Sequence, residues 1–216
     1  MEPTFWQTRW EQGQIGFHEG APNRFLLRHI ERFAANGASV FVPLCGKTTD
    51  LDWLAARGLR VTGCELVEQA VRDFFRERNI TPVESAVEGG VAFDGAGVRV
   101  VRGDVFEFVC NEPFDSVFDR AALVAMTPDQ RAAYVAKVLS VLKPGGRVLL
   151  VAMEHDLGQG PPFTLYEDDV RALYEGECAV SLIEREDVTR DNQRFVDRGA
   201  TFVREAAYLI ERRPTK

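Results

Sequence analysis

A doubly wound α/β fold is predicted for this chain, and three features of the sequence carry the prediction. Ser39-Val-Phe-Val-Pro-Leu-Cys-Gly46 reads as a buried strand running into a tight turn, with a helix opening at Thr48 or Thr49. Leu59-Arg-Val-Thr-Gly-Cys-Glu65 reads as a second strand that closes on an acid. Strand-like and helix-like segments then alternate until two strands follow one another at the end. That order suits an open sheet, mostly parallel with an antiparallel late strand, covered by helices on both faces. An acid about 20 residues past a strand-to-helix turn suits a ribose hydroxyl pair, because open α/β sheets hold ligands outside the carboxyl ends of their strands.

The stretch to about Gly20 is aromatic and polar without clean periodicity, and is expected to pack as an extension over the core. Residues 23–36 carry Phe25, Leu26, Ile30 and Phe33 at helical spacing, with Gly37 as the stop. Residues 39–42 form the first core strand, 50–57 continue a helix that Gly58 ends, and 60–65 form the second strand. Residues 67–78 put Ala70, Val71, Phe74 and Phe75 on one helical face. The glycine-rich stretch 88–97 reads as a hairpin or loop, followed by strands at 98–102 and 114–118. A helix is expected over 128–142, with Thr127 as N-cap and Pro128 in the first helical position. Lys143-Pro-Gly-Gly146 stops it and feeds 147–153, a continuous apolar run typical of a central strand. A Gly/Pro loop at 158–163, a short helix at 167–174 and late strands at 179–185 and 200–211 follow.

With 45% hydrophobic and 27% charged residues, 216 residues suit one domain with a full core. The formal net charge of −7 argues against a general nucleic-acid binder, which would present a basic face. No apolar run reaches the length of a membrane span. Met1-Glu-Pro-Thr-Phe-Trp6 lacks the basic and apolar regions of a signal peptide, so cytoplasmic placement is expected. Cys45, Cys64, Cys110 and Cys178 show no C-x-x-C spacing and read as reduced, partly buried thiols. His18, His29 and His155 are dispersed, and no metal is expected. No heptad or long apolar edge strand announces a partner chain, so a monomer is the expectation.

The turn narrows the ligand. A dinucleotide fold would show G-x-G-x-x-G where this chain has Pro43-Leu-Cys-Gly46. Gly46-Lys47-Thr48 imitates the end of a phosphate-binding loop, but that motif needs glycine where Phe41 stands. A nucleoside without phosphates therefore moves ahead of an NAD-dependent or nucleotide-hydrolysing reading. Gly46 is placed for a close approach, since a Cβ there would intrude on the ligand.

A first strand ending in a loop, the acid Glu65, Gly103-Asp104-Val105 after the third strand and Leu142-Lys-Pro-Gly-Gly146 before the fifth resemble a Rossmann-like class I S-adenosylmethionine-dependent methyltransferase. Trp6 and Trp10, Gly16-Phe-His18, Val42-Pro-Leu-Cys-Gly-Lys47, Phe118-Asp-Arg-Ala-Ala-Leu-Val124 and Gly160-Pro-Pro-Phe163 bring the resemblance to the thiopurine S-methyltransferase family in its bacterial form. The likeness covers nearly the whole chain. Ala121 departs from it, standing where the mammalian form has glycine.

The resemblance implies S-adenosyl-L-methionine as methyl donor, S-adenosyl-L-homocysteine as product, and a small aromatic or heterocyclic thiol as acceptor. It implies one domain, 1–216, whose residues 1–37 cover the cofactor site. Glu65 would accept hydrogen bonds from the ribose, and Leu44 and Gly46 would line the turn beneath it. Asp104 and Val105 would hold adenine, although Asp104 alone could be a helix N-cap. Trp10 would lie against the methionine end, where a π face suits a sulfonium. Arg120 would reach both cofactor and acceptor, Arg194 the acceptor, and Phe17 would stack on its flat ring. Read locally, Arg120 could instead pair with Asp119 or Asp115, and Arg194 is a solvated charged residue.

Methyl transfer from sulfonium to sulfur is an in-line displacement, so holding donor and acceptor in line does most of the work. Arg120 and Arg194 would favour the anionic acceptor. No nucleophilic triad is readable; Asp119 or a water could take a proton. Two other functions compete. One is a small-molecule methyltransferase acting mainly on selenium or tellurium species. The other is a non-catalytic nucleoside-binding module, against which Trp10, Glu65 and Arg120 together argue.

Overall fold

The computed structural model describes residues 3–214. Helices α1 (Pro3–Glu11) and α2 (Arg24–Phe33) precede β1 (Ser39–Pro43), α3 (Asp50–Ala56), β2 (Arg60–Glu65) and α4 (Glu68–Glu77). Three strands then run in succession, β3 (Val83–Val87), β4 (Gly90–Gly95) and β5 (Val98–Arg102). After β6 (Phe114–Arg120) come α5 (Arg131–Ser140), β7 (Leu142–His155) and α6 (Glu167–Tyr174). The chain closes with β8 (Cys178–Asp187), the one-turn α7 (Gln193–Val196) and β9 (Val203–Arg212).

These strands form a nine-stranded sheet in the order β3-β4-β5-β2-β1-β6-β7-β9-β8. The five central strands β5, β2, β1, β6 and β7 are parallel. β9 inserts antiparallel beside β7, with β8 antiparallel on its outer side. The chain builds outward from β1 through β2 to β5, then returns to the other side of β1 for β6. That reversal opens a crevice at the carboxyl ends of β1 and β6, the position where such sheets take ligands.

Alternation along the central strands explains why both faces are covered. On β1, Val40 and Val42 pack with Phe25 of α2, Leu51 of α3 and Phe74 of α4. Phe41 points to the opposite face, where its ring stacks on Phe108 at 4.6 Å and Phe114 at 5.2 Å, near Tyr134 of α5 and Tyr174 of α6. On β7, Leu149 and Val151 join the first face, and Val148, Leu150 and Ala152 the second. Burying each large apolar side chain contributes about 1.5–3 kcal/mol, so two-sided strands anchor the fold. Asn23 caps α2 by accepting from Phe25 N at 3.0 Å, while its own N–H donates to buried Asp50 at 2.7 Å and ties α2 to α3.

Several boundaries differ from the sequence reading. The N-terminal stretch is helical as α1 although its apolar residues lack a helical stripe; they collect into a local aromatic cluster instead of facing the sheet. α2 ends at Phe33, not 36, and Gly37 serves the next turn with φ +72°. Thr127 and Pro128 do not start α5, which begins at Arg131; the Thr127 hydroxyl donates to Gln130 Oε1 at 2.9 Å and closes a turn. Lys143-Pro-Gly-Gly146 lies within β7 as an excursion: β7 advances from Leu142 to Arg147 while β6 advances from Phe114 to Ser116. Gly146 is required there, because a Cβ would stand 2.9 Å from the Asp115 carbonyl. The 88–97 stretch belongs to an antiparallel meander of β3, β4 and β5, and β3 escaped notice because almost all of it is exposed.

Candidate active site

The crevice begins where β1 ends. Leu44 and Gly46 both take positive φ, +46° and +53°, and Cys45 N reaches back to the Cys64 carbonyl at 3.0 Å. This turn delivers Gly46 N–H to Glu65 Oε2 at 2.8 Å, and the next turn delivers Val67 N–H to Oε1, also at 2.8 Å. Burial pushes the Glu65 carboxyl up, while the two backbone donors favour its charged form. Each oxygen keeps a second lone pair for a ligand in the cavity that Glu65 lines.

That cavity has a volume of about 270 Å³. It brings together Trp10, Leu44, Glu65, Asp104 and Val105 from the expected cofactor set. Phe17, Arg120 and Arg194 line it as well. Gly46 does not. It borders a smaller adjoining hollow of about 30 Å³, and a Cβ on it would meet the Trp10 indole at 3.2 Å. Trp10 therefore makes one close approach that calls for glycine here, besides the positive φ of the turn.

Trp10 is 4% exposed, packed on Val67 and Ala70. Phe17 stands edge-on to both Trp6 and Trp10 at 5.9 Å. Two arginines hold this segment over the cavity. Arg120, the last residue of β6, donates to the Phe17 carbonyl and to Glu19 Oε1, each at 2.5 Å. Arg194, on α7, donates to the Gly16 carbonyl at 2.5 Å. A Cβ on Gly16 would lie 2.1 Å from Arg194 Nη1, so any side chain there displaces the guanidinium. Arg120 thus pairs with Glu19 and not with Asp119 or Asp115. Burial, then Arg120 and Arg198, push the Arg194 pKa down.

Asp104 caps no helix; its carboxylate accepts from Phe106 N at 2.9 Å in a tight turn that also presents Val105. Asp119 is wholly buried, accepting from Leu123 N at 3.1 Å and the Tyr134 hydroxyl at 2.8 Å. Burial lifts its carboxyl to about 6 against these bonds. It shapes the turn after β6, where Ala121 takes φ +62°, and it does not line the cavity; sealed there, it has no path to an acceptor's proton.

Sequence reasoning missed Arg9, Gln14, Met126 and Glu205, which also line the cavity. The buried Nε of Arg9 has no hydrogen-bond partner. Glu205 carried no local signal, being one acid in a strand-like run. Lys47 pairs with Glu77 at 2.6 Å, and all four cysteines are free thiols. Among the described residues no group of three or more His, Cys, Asp or Glu could hold a metal ion, and no helix is long and apolar enough to cross a membrane.

A switch-point crevice with an acid closing β2, on a parallel sheet with antiparallel β9 inserted beside β7, defines the class I methyltransferase fold. A solved structure of a Burkholderia thailandensis 1,6-didemethyltoxoflavin-N1-methyltransferase, with bound 1,6-didemethyltoxoflavin and S-adenosylhomocysteine, shares that fold. Its TM-score is 0.65 at 20% identity, over 99% of this chain and 87% of that one. The chain belongs to the thiopurine S-methyltransferase family, which it matches over residues 1–213. A thiopurine S-methyltransferase of Pseudomonas aeruginosa (strain LESB58) is 39% identical across 98% of this chain and 100% of its own. One of Pseudomonas fluorescens (strain SBW25) is 40% identical across 97% and 99%. The protein is a methyltransferase of a family that uses S-adenosylmethionine.

Proposed function

We propose that this enzyme transfers the methyl group of S-adenosylmethionine to the sulfur of small aromatic or heterocyclic thiols. One observation carries the reading: two guanidinium groups, Arg120 and Arg194, line the same cavity as Glu65 and Trp10. The residues fit a sulfonium nucleoside. Glu65 has lone pairs for ribose hydroxyls, Val105 gives adenine an apolar wall and Asp104 a polar edge, and Leu44 borders the sugar. The Trp10 face suits the sulfonium, and Gly46 supports that ring and the Glu65 carboxylate from behind. When bound, the cofactor supplies an electrophilic methyl group together with its leaving group.

The protein's own part is positioning and electrostatics. Phe17 offers a flat face to the acceptor ring. Arg120 and Arg194 stabilise the acceptor as an anion, the form in which sulfur is nucleophilic, as neighbouring cations do for cysteine. The segment from α1 through Glu19, part of one domain over 1–216, covers the site and keeps water from the reacting atoms.

Calorimetric titration with S-adenosylmethionine and S-adenosylhomocysteine, with NAD and ATP as controls, is the first test. Binding of the two sulfur nucleosides alone supports the reading; binding of NAD or ATP in their place overturns it. Turnover is then measured on an acidic aryl thiol, with selenium and tellurium acceptors as a second arm. Arg120→Ala and Arg194→Ala are each expected to lower kcat/KM for the thiol by about 10- to 100-fold, the worth of a charge-assisted hydrogen bond. Unchanged values in both variants and in the double variant would refute the role of the arginines.

A further inference from the structure

We infer that Glu205 is the proton acceptor for acceptor molecules that reach the site in their neutral thione form. This rests on the methyltransferase reading above and concerns the step it leaves open. A thione heterocycle carries its proton on a ring nitrogen. As sulfur takes the methyl, the new S–C bond forms and the donor's sulfonium–carbon bond breaks, its electron pair staying on the donor's sulfur. The ring N–H bond must also break, its electrons restoring the ring, and the proton needs a base. That base later returns the proton to solvent.

The described carboxylates lining the cavity are Glu65, Asp104 and Glu205. In the reading above Glu65 serves the ribose and Asp104 the adenine, so neither stands at the acceptor. Glu205 differs. It stands on β9 opposite Met153 of β7, another cavity residue, and is 8% exposed. Its Oε2 accepts from Arg24 Nη2 at 2.7 Å, whereas Oε1 accepts no hydrogen bond among the described residues. Asp119 is sealed, and His155 is buried with Nε2 on the Pro162 carbonyl at 3.1 Å and Nδ1 on Leu157 N at 3.2 Å.

The charges around Glu205 suit the task. Arg24 of α2 holds it and also binds Glu186, its partner across β8 and β9. Arg120 of β6, paired with Glu19, and Arg194 of α7 complete the set. Burial raises the Glu205 carboxyl, and Arg24 and Arg120 draw it back. A carboxylate raised from its usual range accepts a proton more readily, while the arginines beside it favour the sulfur anion that loss of the ring proton leaves.

The test pairs two acceptors: a nitro-substituted aryl thiol already ionised at the assay pH, and a thione heterocycle still protonated there. In Glu205→Gln the thione is expected to lose about 100-fold more of its kcat/KM than the ionised thiol, the lower end of general-base effects. Glu205→Asp should restore part of that difference. A readout independent of transfer is the absorption spectrum of the thione bound with S-adenosylhomocysteine: the native enzyme shifts it toward the anion, and Glu205→Gln leaves the neutral spectrum. Equal losses for both acceptors, or an anion spectrum that persists in Glu205→Gln, would overturn the proposal. If the native enzyme bound S-adenosylhomocysteine but methylated neither acceptor, the thiol reading itself would fail, and the spectrum would still judge Glu205.

Discussion

Gly16→Ala should disable the acceptor side of the site while sparing the fold and the cofactor side. The added Cβ would lie 2.1 Å from Arg194 Nη1 and 3.4 Å from its Cζ, where ordinary contact begins at about 3.4 Å. The guanidinium must withdraw on the order of 1 Å, which takes its 2.5 Å bond to the Gly16 carbonyl out of hydrogen-bonding range. Gly16 is exposed and the clash falls on the far end of a long, flexible side chain, so stability should change by less than about 0.5 kcal/mol, as for other surface substitutions. A displaced cation deprives an anionic acceptor of a charge-assisted partner worth about 1.5–3 kcal/mol, or roughly 10- to 100-fold in kcat/KM. Thermal melting, calorimetry with S-adenosylhomocysteine and steady-state kinetics on an acidic thiol separate these effects. The expected pattern is an unchanged melting temperature, cofactor affinity within about threefold, and reduced kcat/KM that Arg194→Ala does not lower much further, since both remove one interaction. Equal weakening of cofactor binding and thiol turnover, or additive losses in the double variant, would refute it.

Two further outcomes follow from the same geometry. In Glu65→Gln one amide nitrogen must face a backbone donor, either Gly46 N–H or Val67 N–H, so about 1–3 kcal/mol of stability should be lost and S-adenosylhomocysteine should bind at least about tenfold more weakly; undiminished affinity by calorimetry would exclude Glu65 from ribose binding. The hydrogen bond from Arg28, then that from Arg24, holds Glu186 at about 2, below the unfolded 4.5; its contribution is therefore complete above about 4.5 and lost as pH falls toward 2, and melting curves from pH 3 to 7 should show a shallower acid limb in Glu186→Gln, by under about 1 kcal/mol because the pair is screened by solvent.

Legibility followed burial. β1, β2 and β7 were readable because strands covered on both faces leave continuous apolar runs, and Glu65 because it ends one of them at a characteristic distance from the turn. α1 and β3 were not, since one packs its aromatics into a local cluster and the other lies exposed at the sheet edge. Lys143-Pro-Gly-Gly146 carried a helix-stop signal, yet its glycines serve an excursion inside β7, a choice made by the partner strand β6.

What the amino-acid sequence determined by itself was the alternation of elements, the ligand edge of the sheet, the absence of a phosphate-binding turn and the family likeness, all written in local pattern. Which side chains meet at that edge depends on the folded chain. Arg120 and Arg194 meet the cover segment through the carbonyls of Phe17 and Gly16, and a backbone carbonyl has no side-chain signature. Asp119 looks available beside Arg120 in the chain, but the turn after β6 seals it under Tyr134. Glu205 looks like a surface acid of a late strand, but β9 inserts beside β7 and brings it to the cavity. Each of these depends on strand insertion and helix placement, which act between residues far apart in the chain and leave no trace in local spacing.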